Sequence, residues 1–364
     1  MASRARRFKG LAVAAVVLLA TGFAAAAAGK PAPKAHPAAK TATAAPRVIA
    51  DRITELGKAF DGRVGIAVMS IDDGWLAGWQ ATDLCPQQSV SKLWVAITVL
   101  DAVDRGKLKL DDPATLTRDD LTLFHQPIAE EVLKTGSLTT TVGDLMVREI
   151  TQSDNTANDK LMRLAGGPAA IRAMISRKHL GAIRFGDGER ALQSKIAGLE
   201  WDPAYSIGNA FFEARDALPM DKRQAAFDLY VLSPYDGAAP SAIVHALARL
   251  KRGQLLSSAS TEHLLTIMSE THTGPNRLKG GLASGWTLNH KTGTGQVLGG
   301  EQAGYNDVGI LTAPDGKSYA VAVMIKLTST PLAVRMTLMN EVVRAVIAEH
   351  DAENAARAAA KTAQ

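Results

Sequence analysis

The chain has 364 residues, 46% hydrophobic and 21% charged, with a formal net charge of +5 and one cysteine. That length can bury a large core, and one thiol excludes an internal disulfide, so stability must come from packing. The basic excess does not indicate a nucleic-acid surface: the first 46 residues hold seven basic side chains and no acidic one, and without them the remainder carries −2.

Residues 1–28 begin with Arg4, Arg6, Arg7 and Lys9, continue through an apolar run from Leu11 to Ala20 and end in small residues from Ala24 to Ala28. That is the layout of a cleavable signal peptide, and the apolar run is too short to span a bilayer. A periplasmic or secreted location follows; Arg6-Arg7-Phe8-Lys9 leaves open a twin-arginine route. Residues 29–46 are almost entirely Ala, Pro, Lys and Thr without apolar periodicity, which reads as a disordered tether.

Val48 to Phe60 has helical spacing. The β-branched run Val64 to Ile71, the turn Asp72-Asp73-Gly74 and the segment Trp75 to Gln80 predict a hairpin. Cys85 reads as a buried, inert thiol rather than a nucleophile. The stretch Ser89 to Leu100 is apolar nearly all round, as a central helix would be. From there to about His272 the pattern is mostly helical. Near the other end, Asp307 to Thr312 and Ser318 to Lys326 flank Ala313-Pro314-Asp315-Gly316 as a second hairpin. A helix follows from about Leu332 to Glu349, with an Ala-rich tail over 351–364. The expected fold is α/β, of the α+β kind: an antiparallel sheet flanked by N- and C-terminal helices, with an all-helical subdomain (about 87–272) inserted in it and the site between them. The catalytic domain spans 47–350.

Three short stretches carry chemistry. Ser89-Val90-Ser91-Lys92 puts a lysine one helical turn beyond a serine, where an ammonium favours the alkoxide, or a desolvated amine takes its proton. An N-cap serine beside a surface lysine is the bland alternative, and it sits badly in so apolar a helix. Ser153-Asp154-Asn155 falls at a helix–helix junction. Plain capping would explain it; functionally, Ser153 can relay a proton and Asn155 can hold an amide carbonyl. Lys291-Thr292-Gly293-Thr294-Gly295 looks like an edge strand on which Lys291 and Thr292 receive a carboxylate. The two glycines would admit a substrate backbone, and Thr294 N–H would join that of Ser89 in an oxyanion hole. A lysine guarding a polar edge is equally good in isolation.

In this order, about 60 and about 140 residues apart, the three stretches form the motif set of active-site-serine penicillin-recognising enzymes, and the chain resembles a class A β-lactamase over about 47–350. Pro86-Gln87-Gln88, Thr273 to Leu278, Gly281 to Trp286 and Tyr305 to Gly309 strengthen the likeness. The resemblance implies that Arg277 binds the substrate carboxylate. It also implies an Ω-loop glutamate that activates the deacylating water; the matching segment is Glu189-Arg190-Ala191-Leu192-Gln193, with Gln193 where the family has asparagine and Glu200 as a weaker substitute. Residues 194 to about 237 exceed the usual stretch by some thirty residues and are rich in aromatics (Trp201, Tyr205, Phe211, Phe212, Tyr230). They would either pack an enlarged loop layer or narrow the site.

The implied function is opening of a β-lactam ring through an acyl-serine intermediate, by a monomer, with no cofactor and no metal. Two rivals stand beside it. A D-alanyl-D-alanine peptidase of the same superfamily would not need Glu189 for deacylation. A non-catalytic penicillin- or cell-wall-binding module would show no turnover at all.

Overall fold

Both ends of the chain contribute to one five-stranded antiparallel sheet. The computed structural model describes residues 44–363, so the expected signal peptide and most of the tether lie outside the described residues. Helix α1 (Arg47–Ala59) leads into strands β1 (Arg63–Ser70) and β2 (Leu76–Trp79), the first predicted hairpin. At the far end come β5 (Thr287–Thr294), the small pair β6 (Val297–Leu298) and β7 (Glu301–Gln302), then β8 (Tyr305–Thr312), β9 (Ser318–Leu327) and α12 (Leu332–Thr362). The sheet order is β2-β1-β9-β8-β5, so the N-terminal hairpin joins the C-terminal one through β1 and β9. β5, with Lys291, is the outer strand, as expected. Helix α12 runs thirteen residues beyond the expected end at Glu349, because Ala and long straight side chains in its tail are good helix formers.

β1, β8 and β9 are buried almost end to end, which explains their continuous apolar runs: both faces of the sheet are covered. On one face α1 and α12 pack Ile49, Ile53, Met339, Val342 and Val346 onto Val64, Ile66, Val323 and Ile325. Each such side chain contributes about 1.5–3 kcal/mol when fully buried. The other face meets the helical subdomain, whose centre is α2 (Lys92–Asp104), apolar all round and buried along most of its length.

Around α2 lie the pair β3 (Pro113–Thr117) and β4 (Ser137–Thr141) and the helices α3 (Ile128–Thr135), α4 (Val142–Val147), α5 (Asn155–Leu164) and α6 (Gly167–Arg177). The long segment in front of the site forms α7 (Glu189–Ile196), α8 (Ala210–Ala217) and α9 (Met220–Leu232). The chain then returns through α10 (Pro240–Lys251) and α11 (Ser258–Ser269). Cys85 is buried, and desolvation pushes its thiol up to about 12, so it is inert at neutral pH. No helix among the described residues is long and apolar enough to cross a membrane.

Candidate active site

Ser89 sits in a 3-10 turn, Gln88–Ser91, immediately ahead of α2, so the α-helix begins three residues later than expected. The turn is held under strain. Gln88 has φ 53°, in the left-handed region that a non-glycine residue occupies only when its surroundings impose it. Those surroundings are specific: Gln88 N donates to Asp236 Oδ2 (2.7 Å), and Gln88 Nε2 donates to the Tyr230 hydroxyl (2.6 Å), which itself donates to Asp236 Oδ1 (3.0 Å). Burial pushes the Asp236 carboxyl up to about 7. From the sheet side, Asn306 Nδ2 donates to the carbonyls of Pro86 (2.8 Å) and Gln87 (3.0 Å). The Ser89 turn is thus clamped between the long front segment and β8.

Lys92 is fully buried, which removes the surface-lysine reading. Its Nζ donates to Ser89 Oγ (2.8 Å), Asn155 Oδ1 (2.7 Å) and Glu189 Oε1 (2.6 Å). Three acceptors match the three hydrogens of an ammonium. Glu189 is 3% exposed and opens α7; its backbone N–H donates to Asp159 Oδ1 (2.9 Å) of α5, so a buried carboxylate on another helix caps the turn that carries it. Gln193, four residues on and therefore on the same face of α7, donates to Glu189 Oε2 (3.1 Å) and Gln88 Oε1 (2.9 Å) and accepts from Gln296 Nε2 (3.0 Å). Glu200 is exposed and does not line the cleft.

Ser153 follows a turn of π-helix, Arg148–Gln152, and itself has φ 63°. The bulge and the left-handed residue turn its hydroxyl toward Lys291, whose Nζ donates to Ser153 Oγ (2.8 Å) and to the Thr292 carbonyl (3.2 Å). Desolvation, followed by the neighbouring Lys92 charge, holds the Lys291 amine well below its ordinary range. Asp154 caps α5 at Ala157 N (2.9 Å) and also accepts from Ile128 N (2.7 Å), so the capping interpretation of this stretch holds for Asp154 alone. Asn155 Nδ2 donates to the Leu123 carbonyl (2.9 Å), leaving its second hydrogen for another acceptor.

Two expectations change. A Cβ on Gly293 would lie 2.3 Å from the Gln87 carbonyl, and one on Gly295 would lie 1.8 Å from the Ala303 carbonyl. These glycines are required by backbone packed against backbone inside the protein, not by substrate approach. Arg277 lines the cleft but is 8% exposed: its guanidinium donates to the carbonyls of Gly293 (3.0 Å) and Asn306 (2.7 Å) and to Thr294 Oγ1 (2.6 Å), and it stacks 3.8 Å over the Tyr305 ring. It braces β5 against β8 from the cleft side.

Glu149 was not singled out in the sequence. It is wholly buried in the π-turn, neither carboxylate oxygen has a hydrogen-bond partner, and desolvation raises it well above the ordinary carboxylate range. A single glutamate in Arg-Glu-Ile-Thr-Gln carries no signal of this. Asp159, Tyr230 and Asp236 were missed as supports for the same reason: their partners lie 30 to 148 residues away.

Ser89, Ser153, Asn155, Glu189, Gln193, Arg277, Thr292 and Thr294 line one cleft of about 460 Å³, with Lys92 and Lys291 buried in its floor. Among the described residues, no group of three or more His, Cys, Asp or Glu side chains could hold a metal ion. The family model of the β-lactamase enzyme family matches residues 48–350. The chain belongs to that family, in class A. This β-lactamase is 31% identical over 263 residues to the extended-spectrum β-lactamase PER-1 of Pseudomonas aeruginosa, covering 72% of this chain and 74% of the relative. It is 26% identical over 294 residues to β-lactamase VEB-1 of the same organism, covering 80% and 87%. The crystal structure of a β-lactamase from Chitinophaga pinensis DSM 2588 superposes with a TM-score of 0.68 at 29% identity, covering 82% of this chain and 97% of that one.

Proposed function

We propose that this β-lactamase is exported by its first 28 residues, which are then cleaved, keeps residues 29–46 as an N-terminal linker, and hydrolyses β-lactams as a monomer through the 47–350 catalytic domain. Ser89 Oγ attacks the lactam carbonyl and the Lys92–Glu189 pair takes its proton. The oxyanion rests on the N–H groups of Ser89 and Thr294. Lys291, Thr292 and the uncommitted Nη2 hydrogen of Arg277 receive the substrate carboxylate, and Asn155 holds the side-chain amide. Ser153, its hydroxyl held by Lys291 Nζ, relays the proton taken from Ser89 to the departing ring nitrogen, which returns the Lys92–Glu189 pair to its starting charge. Glu189 then activates water against the acyl-enzyme.

The observation that carries this reading is the three-way contact of Lys92 Nζ with Ser89, Asn155 and Glu189. It couples the nucleophile directly to a carboxylate that can serve the second half-reaction, which a peptidase or a binding module would not need. Hydrolysis of nitrocefin by the purified protein tests it. Turnover at ordinary enzymatic rates is expected, with a loss on the order of 10³-fold or more in Ser89→Ala; equal rates in both would remove Ser89 from the chemistry.

A further inference from the structure

The inserted front segment does more than fill space. Phe211 of α8 is buried against Leu123 and Ala197, and its ring meets Phe124 edge-on at 4.9 Å. The next residue, Phe212, meets the Phe211 ring edge-on at 5.6 Å, is 42% exposed and lines the cleft. Phe124, also cleft-lining and 39% exposed, stands 6.1 Å from it by ring centroid. Phe124 has φ 61°, a left-handed conformation rare for an aromatic residue, and it directly follows Leu123, whose carbonyl is pinned by Asn155. Val297, 53% exposed, lines the same cleft. Exposed apolar side chains gathered on the walls of a concave site mark a place for a ligand's apolar part.

The same helix brings charge. Arg215 lines the cleft with its guanidinium 5.2 Å from the Phe212 ring centre. Its Nε bonds Asp216 (3.0 Å), and Arg223 shares that carboxylate (3.3 Å), so two guanidiniums face one carboxylate and a positive charge is left over. No protein partner takes the Nη groups of Arg215 among the described residues.

We propose that α8 builds a side-chain subsite for substrates whose acyl group carries an aryl ring and a second anionic group, the ring between Phe212, Phe124 and Val297 and the anion on Arg215. The assignment rests on the β-lactam reading above, which places the acyl side chain beyond Asn155, the residue that adjoins Phe124. At the opposite end, Lys291, Thr292 and Arg277 take the carboxylate common to all such substrates, so Arg215 is free for one carried by the side chain.

The test compares three penicillins: 6-aminopenicillanic acid, with no acyl group; benzylpenicillin, with a neutral aryl side chain; and carbenicillin, which adds a carboxylate beside the same ring. Each KM ratio is taken within one preparation, where partial unfolding cancels. Phe212→Ala raises the ratio of benzylpenicillin to 6-aminopenicillanic acid about fivefold. Arg215→Ala raises the ratio of carbenicillin to benzylpenicillin about fivefold, the scale of a half-exposed ion pair. Ratios within twofold of the parent's, or a parent that accepts benzylpenicillin and rejects carbenicillin, overturn the subsite while leaving the β-lactam reading intact. A parent that hydrolyses none of the three overturns both.

Discussion

The cleft has two walls made in opposite ways. On one, Lys92, Glu189, Ser153 and Lys291 are all less than a tenth exposed and joined by hydrogen bonds of 2.6–2.8 Å, with Asn155, Gln193 and Asp159 behind them. On the other, Phe212 of the inserted helix α8 and the neighbouring Phe124 are exposed rings, and the Arg215 side chain is 24% exposed. Buried charges demand their partners, because an unmatched one in a dry interior is costly; rings at a rim make no such demand. The first wall therefore tolerates almost no change in composition, whereas the second can be altered at little cost to folding and is free to set substrate preference.

The contrast breaks if substitutions on the two walls cost the same. Lys92→Met leaves Glu189 buried without its ion pair and should lower stability by about 3–5 kcal/mol, together with turnover. Phe212→Ala, at an exposed position, should cost less than about 1 kcal/mol. Denaturant melts of the two variants check this, and equal midpoints would show that the buried ion pair matters no more to folding than the exposed ring.

Arg277 sharpens the comparison because it lines the cleft and also braces two strands. The resemblance implies a carboxylate ligand; the three bonds Arg277 makes to β5 and β8 add a structural role. Arg277→Ala should raise KM and also cost about 2–4 kcal/mol, since each bond from a charged donor is worth about 1.5–3 kcal/mol. A parental melting temperature would mean that the brace carries no load.

The smallest effect concerns Asp236, which ties the front segment to the Ser89 turn. Its carboxyl titrates near 3.8 unfolded and is raised to about 7 by burial. A raised folded value means the folded state holds the proton more tightly, so this group's stabilisation is complete at acid pH and is lost as pH rises through 7. Asp236→Asn, which keeps an acceptor for Gln88 N, should flatten the fall in melting temperature between pH 5 and pH 8. Identical slopes in parent and variant would place the carboxylate's titration outside that window.

Much of the first wall was legible because its residues are bound to local rules. Ser89 and Lys92 are a turn apart, the edge strand after Lys291 shows in its polar, Gly-rich ending, and both hairpins announce themselves through Asp-Gly turns. Glu189 was reachable through the Glu-x-x-Leu pattern with Gln193. What stayed hidden depends on long-range pairing: the strain at Gln88 and its relief by Tyr230 and Asp236, the cap on Glu189 from Asp159, and the backbone packing that requires Gly293 and Gly295. The aromatics of the insertion were visible, but their division into a buried anchor, Phe211, and a cleft-facing neighbour, Phe212, required the fold. Glu149 had no local signature, and its burial beside the two lysines emerges only once α4, the π-turn and β5 are assembled.

The central claim is that Lys92 links Ser89 to Glu189 so that one pair of groups serves both acylation and deacylation. Intact-mass spectrometry of Glu189→Ala mixed with benzylpenicillin tests it most directly. A stable penicilloyl adduct on Ser89 with turnover stalled is expected; free enzyme and hydrolysis at the parental rate would contradict that link.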